Sequence, residues 1–169
     1  MVDYNNIEGF FTWPTFYKDM VNRFPSGSLF VEVGSYQGKS IVYLAKTQAE
    51  QGKKMQIVAV DHFKDQSGGM LEKFMSNVKD IDVNIIIGES TVVAEDFENG
   101  SIDLVFIDAA HDYESVKADI EAWLPKVRGV IAGHDYIPTY PGVMKAVDER
   151  FEEVVKDYAF EGCWMVNIK

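Results

Sequence analysis

Residues 28–40, SLFVEVGSYQGKS, read as an apolar strand that runs into a glycine turn and then opens a helix. Gly34, Gly38 and Ser40 give this turn the form GxxxGxS. Glycine lets backbone approach a ligand closely, and the first turn of a helix carries N–H groups with no partner of their own. The stretch therefore predicts one half of a βαβ unit with a small-molecule cradle at its bend.

Working outward, further apolar runs of strand length fall at 56–62, 83–88, 102–108 and 129–134, and helical periodicity falls at 38–51, 68–79, 91–97 and 113–127. Strictly alternating strands and helices predict a mostly parallel central sheet with helices on both faces. In the fourth helical stretch Val116, Ile120, Trp123 and Leu124 form the apolar stripe of a helix packed on a sheet, with Pro125 and Gly129 helping to end it. After a helix at 141–151 the pattern changes. EVVKDYAF (153–160) and CWMVNIK (163–169) are separated only by Glu161 and Gly162, too closely for a parallel crossover, so they predict a C-terminal antiparallel hairpin. The segment from Thr12 to Phe24 predicts a helix whose Trp13, Phe16, Met20 and Phe24 make an aromatic-rich stripe, the pattern of core packing. The whole is one α/β domain over 1–169, with the N-terminal aromatic helix in 1–27 and the α/β core in 28–169.

A chain of 169 residues suits a single domain that buries about 70% of its unfolded surface. The net charge is −11 and the longest basic run is the pair Lys53–Lys54, so neither a track of nucleic-acid phosphates nor an anionic membrane is an expected partner. No apolar stretch approaches the roughly 20 residues that cross a bilayer, and MVDYNNIEGF at the start lacks a basic segment followed by an apolar one. The single cysteine, Cys163, has no internal disulfide partner. These features predict a cytoplasmic protein.

All three histidines stand near aspartates where predicted strands end: IVAVDHF (57–63), LVFIDAAHDY (104–113) and VIAGHDY (130–136). In a parallel α/β sheet the ligand crevice lies outside the carboxyl ends of the strands, so Asp61/His62, Asp108/His111 and His134/Asp135 are expected to converge.

Three ligands compete for the glycine turn. GSYQGKS is one residue short of a phosphate-binding P-loop, having three residues rather than four between its first glycine and the GK pair, and Glu32 would face bound phosphates. A nicotinamide dinucleotide needs GxGxxG, and Tyr36 stands where the second glycine would be. S-adenosylmethionine carries no phosphate, bears a sulfonium and an ammonium, and offers two ribose hydroxyls, all of which suit carboxylates.

On the third ligand the motifs become specific. VEVGSYQGKS, then VAVDHF, then IDLVFIDAAHDYESVKADIEAWLPKVRGVIAGHDY (102–136) resemble the class I S-adenosylmethionine-dependent methyltransferases. The third segment is most similar to the small-molecule O-methyltransferase branch that includes macrocin and novobiocin-pathway sugar methyltransferases. The resemblance spans about residues 28 to 136 and implies a Rossmann-like methyltransferase fold. It implies that Glu32 and the turn Gly34, Ser35, Gln37, Gly38 and Ser40 hold the methionine end of the cofactor. It also implies that Asp61, with His62 beside it, takes the ribose hydroxyls, that Glu89 and Ser90 meet adenine, and that Asp108 adjoins the cofactor. In the sugar-modifying relatives a strand-four aspartate and an acidic pair after strand five hold a divalent cation. Here those positions are Asp108 and His134/Asp135, so one expected carboxylate is an imidazole, which suits a transition metal better than magnesium. The other reading of the chemistry is a general base, for which imidazole is suited near neutral pH, with Asp108, His111 and Asp135 nearest the reaction. The acceptor is expected to be a small hydroxylated molecule bordered by YIPTYPG (136–142) and the aromatic N-terminus. Its pocket is expected to be open or completed by a second copy of the chain. A nucleotide-dependent enzyme using GSYQGKS and a non-catalytic module for the adenosyl cofactor are the remaining readings.

Overall fold

A computed structural model describes residues 2–64 and 68–168. Five parallel strands form the centre: β1 (Leu29–Val33), β2 (Gln56–Asp61), β3 (Asn84–Ile87), β4 (Ile102–Ile107) and β5 (Val127–Gly133). The sheet is completed by β6 (Val155–Tyr158) and β7 (Cys163–Asn167), in the order β3-β2-β1-β4-β5-β7-β6. β7 runs antiparallel to β5, and β6 antiparallel to β7. The strand order reverses between β1 and β4, which opens a crevice above their carboxyl ends.

The helices are α1 (Pro14–Arg23), α2 (Lys39–Glu50), α3 (Met70–Val78), α4 (Ser90–Val93), α5 (Tyr113–Trp123) and α6 (Pro141–Arg150). Successive strand residues point to opposite faces, so each central strand feeds two cores. Phe30, Leu104, Phe106, Val130 and Ala132 pack beneath α1, α2 and α3; Val31, Val33, Val105, Ile107 and Ile131 pack against Val116, Ile120, Trp123 and Val143 of α5 and α6. The stripe of α1 goes where its spacing predicts: Trp13, Phe16 and Met20 are buried in the first core, with Phe24 packed at its edge.

Several boundaries differ from the sequence expectation, each for a local reason. The predicted helix at 91–97 is only α4 followed by a 3-10 turn at Ala94–Asp96. α5 stops at Trp123 because Pro125 tightens the next turn, and β5 already begins at Val127. Gly129 therefore lies inside a strand rather than after a helix. A Cβ there would come within 2.3 Å of the Asp103 carbonyl, at the irregularity where β5 shifts register against β4. The predicted hairpin is present, with a longer connection than Glu161–Gly162: Ala159 and Phe160 also leave the ladder, at φ 55° and 60°. Lys169, the last residue of the predicted second hairpin strand, lies outside the described residues. Among the described residues no helix is long and apolar enough to cross a membrane.

Candidate active site

The bend after β1 is built by glycine where nothing larger fits. Gly34 has φ +87°, and a Cβ on it would lie 2.2 Å from the Asp108 carbonyl oxygen, so this glycine lets the tips of β1 and β4 run side by side. Asp108 N–H donates to the Val33 carbonyl at 2.8 Å across that junction. Gly38 is favoured by its φ of +82°, and a Cβ there would also sit tightly, 3.1 Å from the Phe74 ring.

A cavity of about 650 Å³ opens above these strand ends, with Gly34, Tyr36, Asp61, Glu89, Ser90 and Asp108 on its walls. That volume suits a small molecule or cofactor. Asp61 is held rigidly in it: Oδ1 accepts the Phe63 N–H at 2.7 Å and Oδ2 accepts the Tyr36 N–H at 2.9 Å. His62 lies on the wall beside it. Glu89 pairs with Lys64 at 2.6 Å, which lowers its carboxyl pKa, and Ser90 Oγ accepts the Trp123 Nε1–H at 2.8 Å.

Of the residues expected to hold a cofactor, the structure thus brings Gly34, Asp61, His62, Glu89, Ser90 and Asp108 to one cavity. The side chains of Glu32, Ser35, Gln37 and Ser40 turn elsewhere, and all four are buried. Alternation along β1 sends Glu32 to the face covered by α1 and α2, where its carboxylate accepts hydrogen bonds from the Tyr17 hydroxyl and, at 2.8 Å, from Ser40 Oγ. Burial raises its pKa to about 7, against the opposing pull of those hydrogen bonds. Gln37 bonds Glu8 at 3.2 Å. Lys39, the lysine of the P-loop-like turn, donates to the Gly9 carbonyl at 2.9 Å, so it is tied to the N-terminal segment and does not reach into the cavity. That arrangement removes the main support for a phosphate reading.

At the Asp108 end of the cavity lies a second constellation. Asp135 follows β5 at φ 62°, a left-handed conformation that aspartate tolerates better than most residues. Its Oδ2 stands 2.7 Å from His111 Nε2, and its Oδ1 stands 3.1 Å from His134 Nδ1. His134 Nδ1 is also 3.6 Å from Asp108 Oδ1. The other nitrogen, His134 Nε2, meets Thr12 Oγ1 at 2.9 Å and the Glu161 carbonyl at 3.1 Å. A carbonyl only accepts, so Nε2 donates to Glu161, and the two carboxylates beside Nδ1 favour a proton there as well. Burial opposes that charge, but the hydrogen bonds and negative charges of Asp108 and Asp135 outweigh it and push its pKa up to about 9. Burial also raises the Asp108 carboxyl, with His134 acting against it. The His134 ring packs on Trp13 with centroids 4.3 Å apart.

Of the expected metal set of Asp108, His134 and Asp135, the two carboxylates also stand beside His111. The group whose ligand atoms all lie within 4.8 Å of one another is Asp108, His111 and Asp135, with His134 behind it. His111 is the more open of the two rings, its side chain 41% exposed against 12% for His134, and it stacks on Tyr140 at 4.4 Å.

The loop between α1 and the chain start was the part sequence reasoning placed least well. Thr12 reaches His134, and Thr15 and Phe16 N–H groups bond the Glu161 carboxylate at 2.8 and 2.9 Å, so the N-terminal helix and the hairpin turn brace the cluster from behind. Asp119, a buried carboxylate of α5 on the cavity wall, was missed altogether. Its signal was an acidic residue set between Val116 and Ile120 in an otherwise apolar stripe.

A reversing parallel sheet with a small-molecule cavity at its switch point, a fixed carboxylate after β2 and an acid–imidazole cluster beside it define a Rossmann-like α/β fold with a ligand site. The sequence profile of the family described as methyltransferase domain matches residues 31–136. The chain belongs to that family. Solved structures of similar fold include cofactor-bound Rv0187 from MTB, with TM-score 0.70 and 17% identity over 96% of this chain and 82% of that one. Another is an O-methyltransferase from Bacillus cereus in complex with SAH, with TM-score 0.67 and 18% identity over 98% and 86%. A third is precorrin 8W decarboxylase from Methanobacterium thermoautotrophicum, with TM-score 0.65 and 13% identity over 92% and 80%. Among curated proteins, the uncharacterized protein y4gI of Sinorhizobium fredii is 45% identical over 47 residues, a match that takes in 27% of this chain and 5% of that protein's length.

Proposed function

We propose that this protein transfers the methyl group of S-adenosylmethionine to a hydroxyl oxygen of a small-molecule acceptor, in the manner of the macrocin and novobiocin-type branch it resembles. The observation that carries the proposal is the position of Asp108, which lines the cavity and at the same time borders the His111–His134–Asp135 cluster. A methyl donor in the cavity and an acceptor at the cluster meet at that residue, and positioning of two reactants is the first requirement of a displacement.

The residues present suit such a donor. Asp61, already fixed by two backbone N–H groups, has lone pairs left for two ribose hydroxyls, and Glu89 and Ser90 stand beyond it for the base. Gly34 and Tyr36 line the same cavity and would border the methionine arm. Bound S-adenosylmethionine supplies an electrophilic methyl carbon on a sulfonium. His111 Nε2 lies 2.7 Å from Asp135 Oδ2, and with that nitrogen's proton directed at the carboxylate, Nδ1 would take the hydroxyl proton of the acceptor. His134, held as a cation, keeps Asp135 and Asp108 from repelling each other and fixes the direction of Asp135.

A second reading rests on the grouping of Asp108, His111 and Asp135. A divalent ion held there would lower the pKa of the acceptor hydroxyl, and the carboxylate–imidazole set favours a transition metal over magnesium.

The test is thermal unfolding with S-adenosylmethionine, S-adenosylhomocysteine, ATP and NAD in turn. A ligand at 100 times its Kd adds about 2.7 kcal/mol, a rise of roughly 5 to 10 °C for a domain of this size. A shift with the two adenosyl compounds alone supports the reading, and hydroxylated acceptors are then screened for methylation. A shift with ATP or NAD alone overturns it.

A further inference from the structure

His62 Nδ1 has two neighbours that ask opposite things of it. It accepts the Lys64 N–H at 2.9 Å, so the neutral ring carries its proton on Nε2. The same nitrogen stands 3.7 Å from Asp61 Oδ1, a carboxylate it can pair with only by bearing a proton itself. An imidazolium donates at both nitrogens and accepts at neither. Uptake of a second proton therefore ends the Lys64 bond and turns Nδ1 toward Asp61.

The turn that would feel this change is the one that presents Asp61 to the cavity. Asp61 Oδ1 accepts the Phe63 N–H at 2.7 Å and His62 Nδ1 accepts the Lys64 N–H, so two successive bonds from side chain to backbone shape residues 61–64. Between them Phe63 sits at φ 51°, a left-handed conformation that a bulky residue holds only under constraint, with its ring packed on Phe74 at 4.9 Å. Lys64 pairs in turn with Glu89 at 2.6 Å, which joins this turn to the loop after β3. The charged groups that face His62 are thus Asp61 and Lys64 from its own turn and Glu89 from that loop, whose carboxyl feels the His62 charge. With its side chain 46% exposed, His62 exchanges protons freely with solvent.

We propose that His62 is an acid-sensitive switch on donor binding: the neutral ring holds the turn that offers Asp61 to the ribose hydroxyls, and the protonated ring releases Lys64 and occupies Asp61 itself. This rests on the cofactor reading above and adds a control that the reading does not require. Imidazole ordinarily protonates near pH 6.5, so the switch belongs to mildly acid solution.

Isothermal titration with S-adenosylhomocysteine at pH 8 and pH 5.5 compares the wild type with His62→Asn, whose side-chain oxygen can accept the Lys64 N–H two residues on and takes up no proton. A pH unit below its pKa only about a tenth of an imidazole is neutral, so the wild type is expected to lose about tenfold in affinity beyond whatever the variant loses. The variant keeps the pH dependence of the other groups that titrate in this range, Glu32 among them. An equal pH dependence in the two proteins overturns the proposal, and so does a smaller one in the wild type. Long-range proton–nitrogen NMR of the free protein tests the same switch without a ligand. At pH 8 His62 is expected as the Nε2–H tautomer, and the Lys64 amide should lose protection from exchange as the ring protonates. A proton on Nδ1 at pH 8 overturns the proposal whatever the titration shows. The expected tautomer together with no binding of S-adenosylhomocysteine at either pH is a different result: it removes the cofactor reading, and the control of donor binding with it.

Discussion

His111 Nε2 lies 2.7 Å from Asp135 Oδ2, although the two residues leave different strands on separate loops. The loops are brought together where α6 begins: a Cβ on Gly142 would stand 2.7 Å from the His111 carbonyl, so only glycine lets the helix start this close. The pair resembles a base with its orienting carboxylate, which leads to a first expectation. His111→Ala should lower kcat by about 10²- to 10⁴-fold while the Kd for S-adenosylhomocysteine stays within a factor of two or so. Steady-state kinetics and titration together decide it. A loss of cofactor affinity as large as the loss in rate would place His111 in binding instead.

Asp61 is expected to carry much of the nucleoside affinity. Asp61→Ala should weaken S-adenosylhomocysteine binding by about tenfold to a hundredfold, since each hydrogen bond to a charged acceptor contributes about 1.5–3 kcal/mol. Unchanged affinity in a folded variant would mean that the cavity holds its ligand the other way round.

Chelation separates the two readings of the catalytic cluster. With His111 as base, methyl transfer persists after dialysis against EDTA, and the protein binds no stoichiometric Mn²⁺ or Zn²⁺ in a calorimetric titration. Activity lost on dialysis and restored by a transition metal would move His111 from base to ligand beside Asp108 and Asp135.

Glu32 should make stability depend on pH in a direction opposite to that of most carboxylates. Burial raises its pKa from 4.5 to about 7 in the folded protein, so between those values the folded chain keeps a proton that the unfolded chain releases. Its contribution is present below about pH 4.5 and is lost as pH rises through 7, on the order of 3 kcal/mol in all. Urea unfolding at pH 5 and pH 8 should show this decline in the wild type and a smaller one in Glu32→Gln, where only the decline through the raised pKa of His134 remains. Parallel profiles would show that the proton is held elsewhere.

Gly34→Ala is expected to cost about 3 kcal/mol or more, because φ is +87° and the new Cβ would meet the Asp108 carbonyl at 2.2 Å. Denaturant unfolding measures it. A loss under 1 kcal/mol would mean that β1 and β4 can separate at their tips without harm.

The order of strands and helices, the parallel sheet, the C-terminal hairpin and the gathering of Asp61, Asp108 and Asp135 at one edge were all legible in the sequence. Each depends on a local periodicity or on the rule that parallel strands end on the same side. The direction of individual side chains was not. Glu32 looked like a ligand in an apolar strand, and only the arrival of Tyr17 from α1 shows that its partner is the protein itself. His134 read as a metal ligand and His111 as a general base. Thr12, 122 residues distant, and the Glu161 carbonyl occupy one nitrogen of His134 and turn the other to the carboxylates, leaving His111 as the open ring. Asp119 carried no reading in the sequence, and only the fold sets it on the cavity wall. The sequence by itself determined which residues reach the carboxyl edge of the sheet, because that is settled by hydrophobic patterning over a few residues. The tertiary structure decided which of them face the cavity, because a polar side chain turns toward whichever donor or acceptor the fold brings to it from far along the chain.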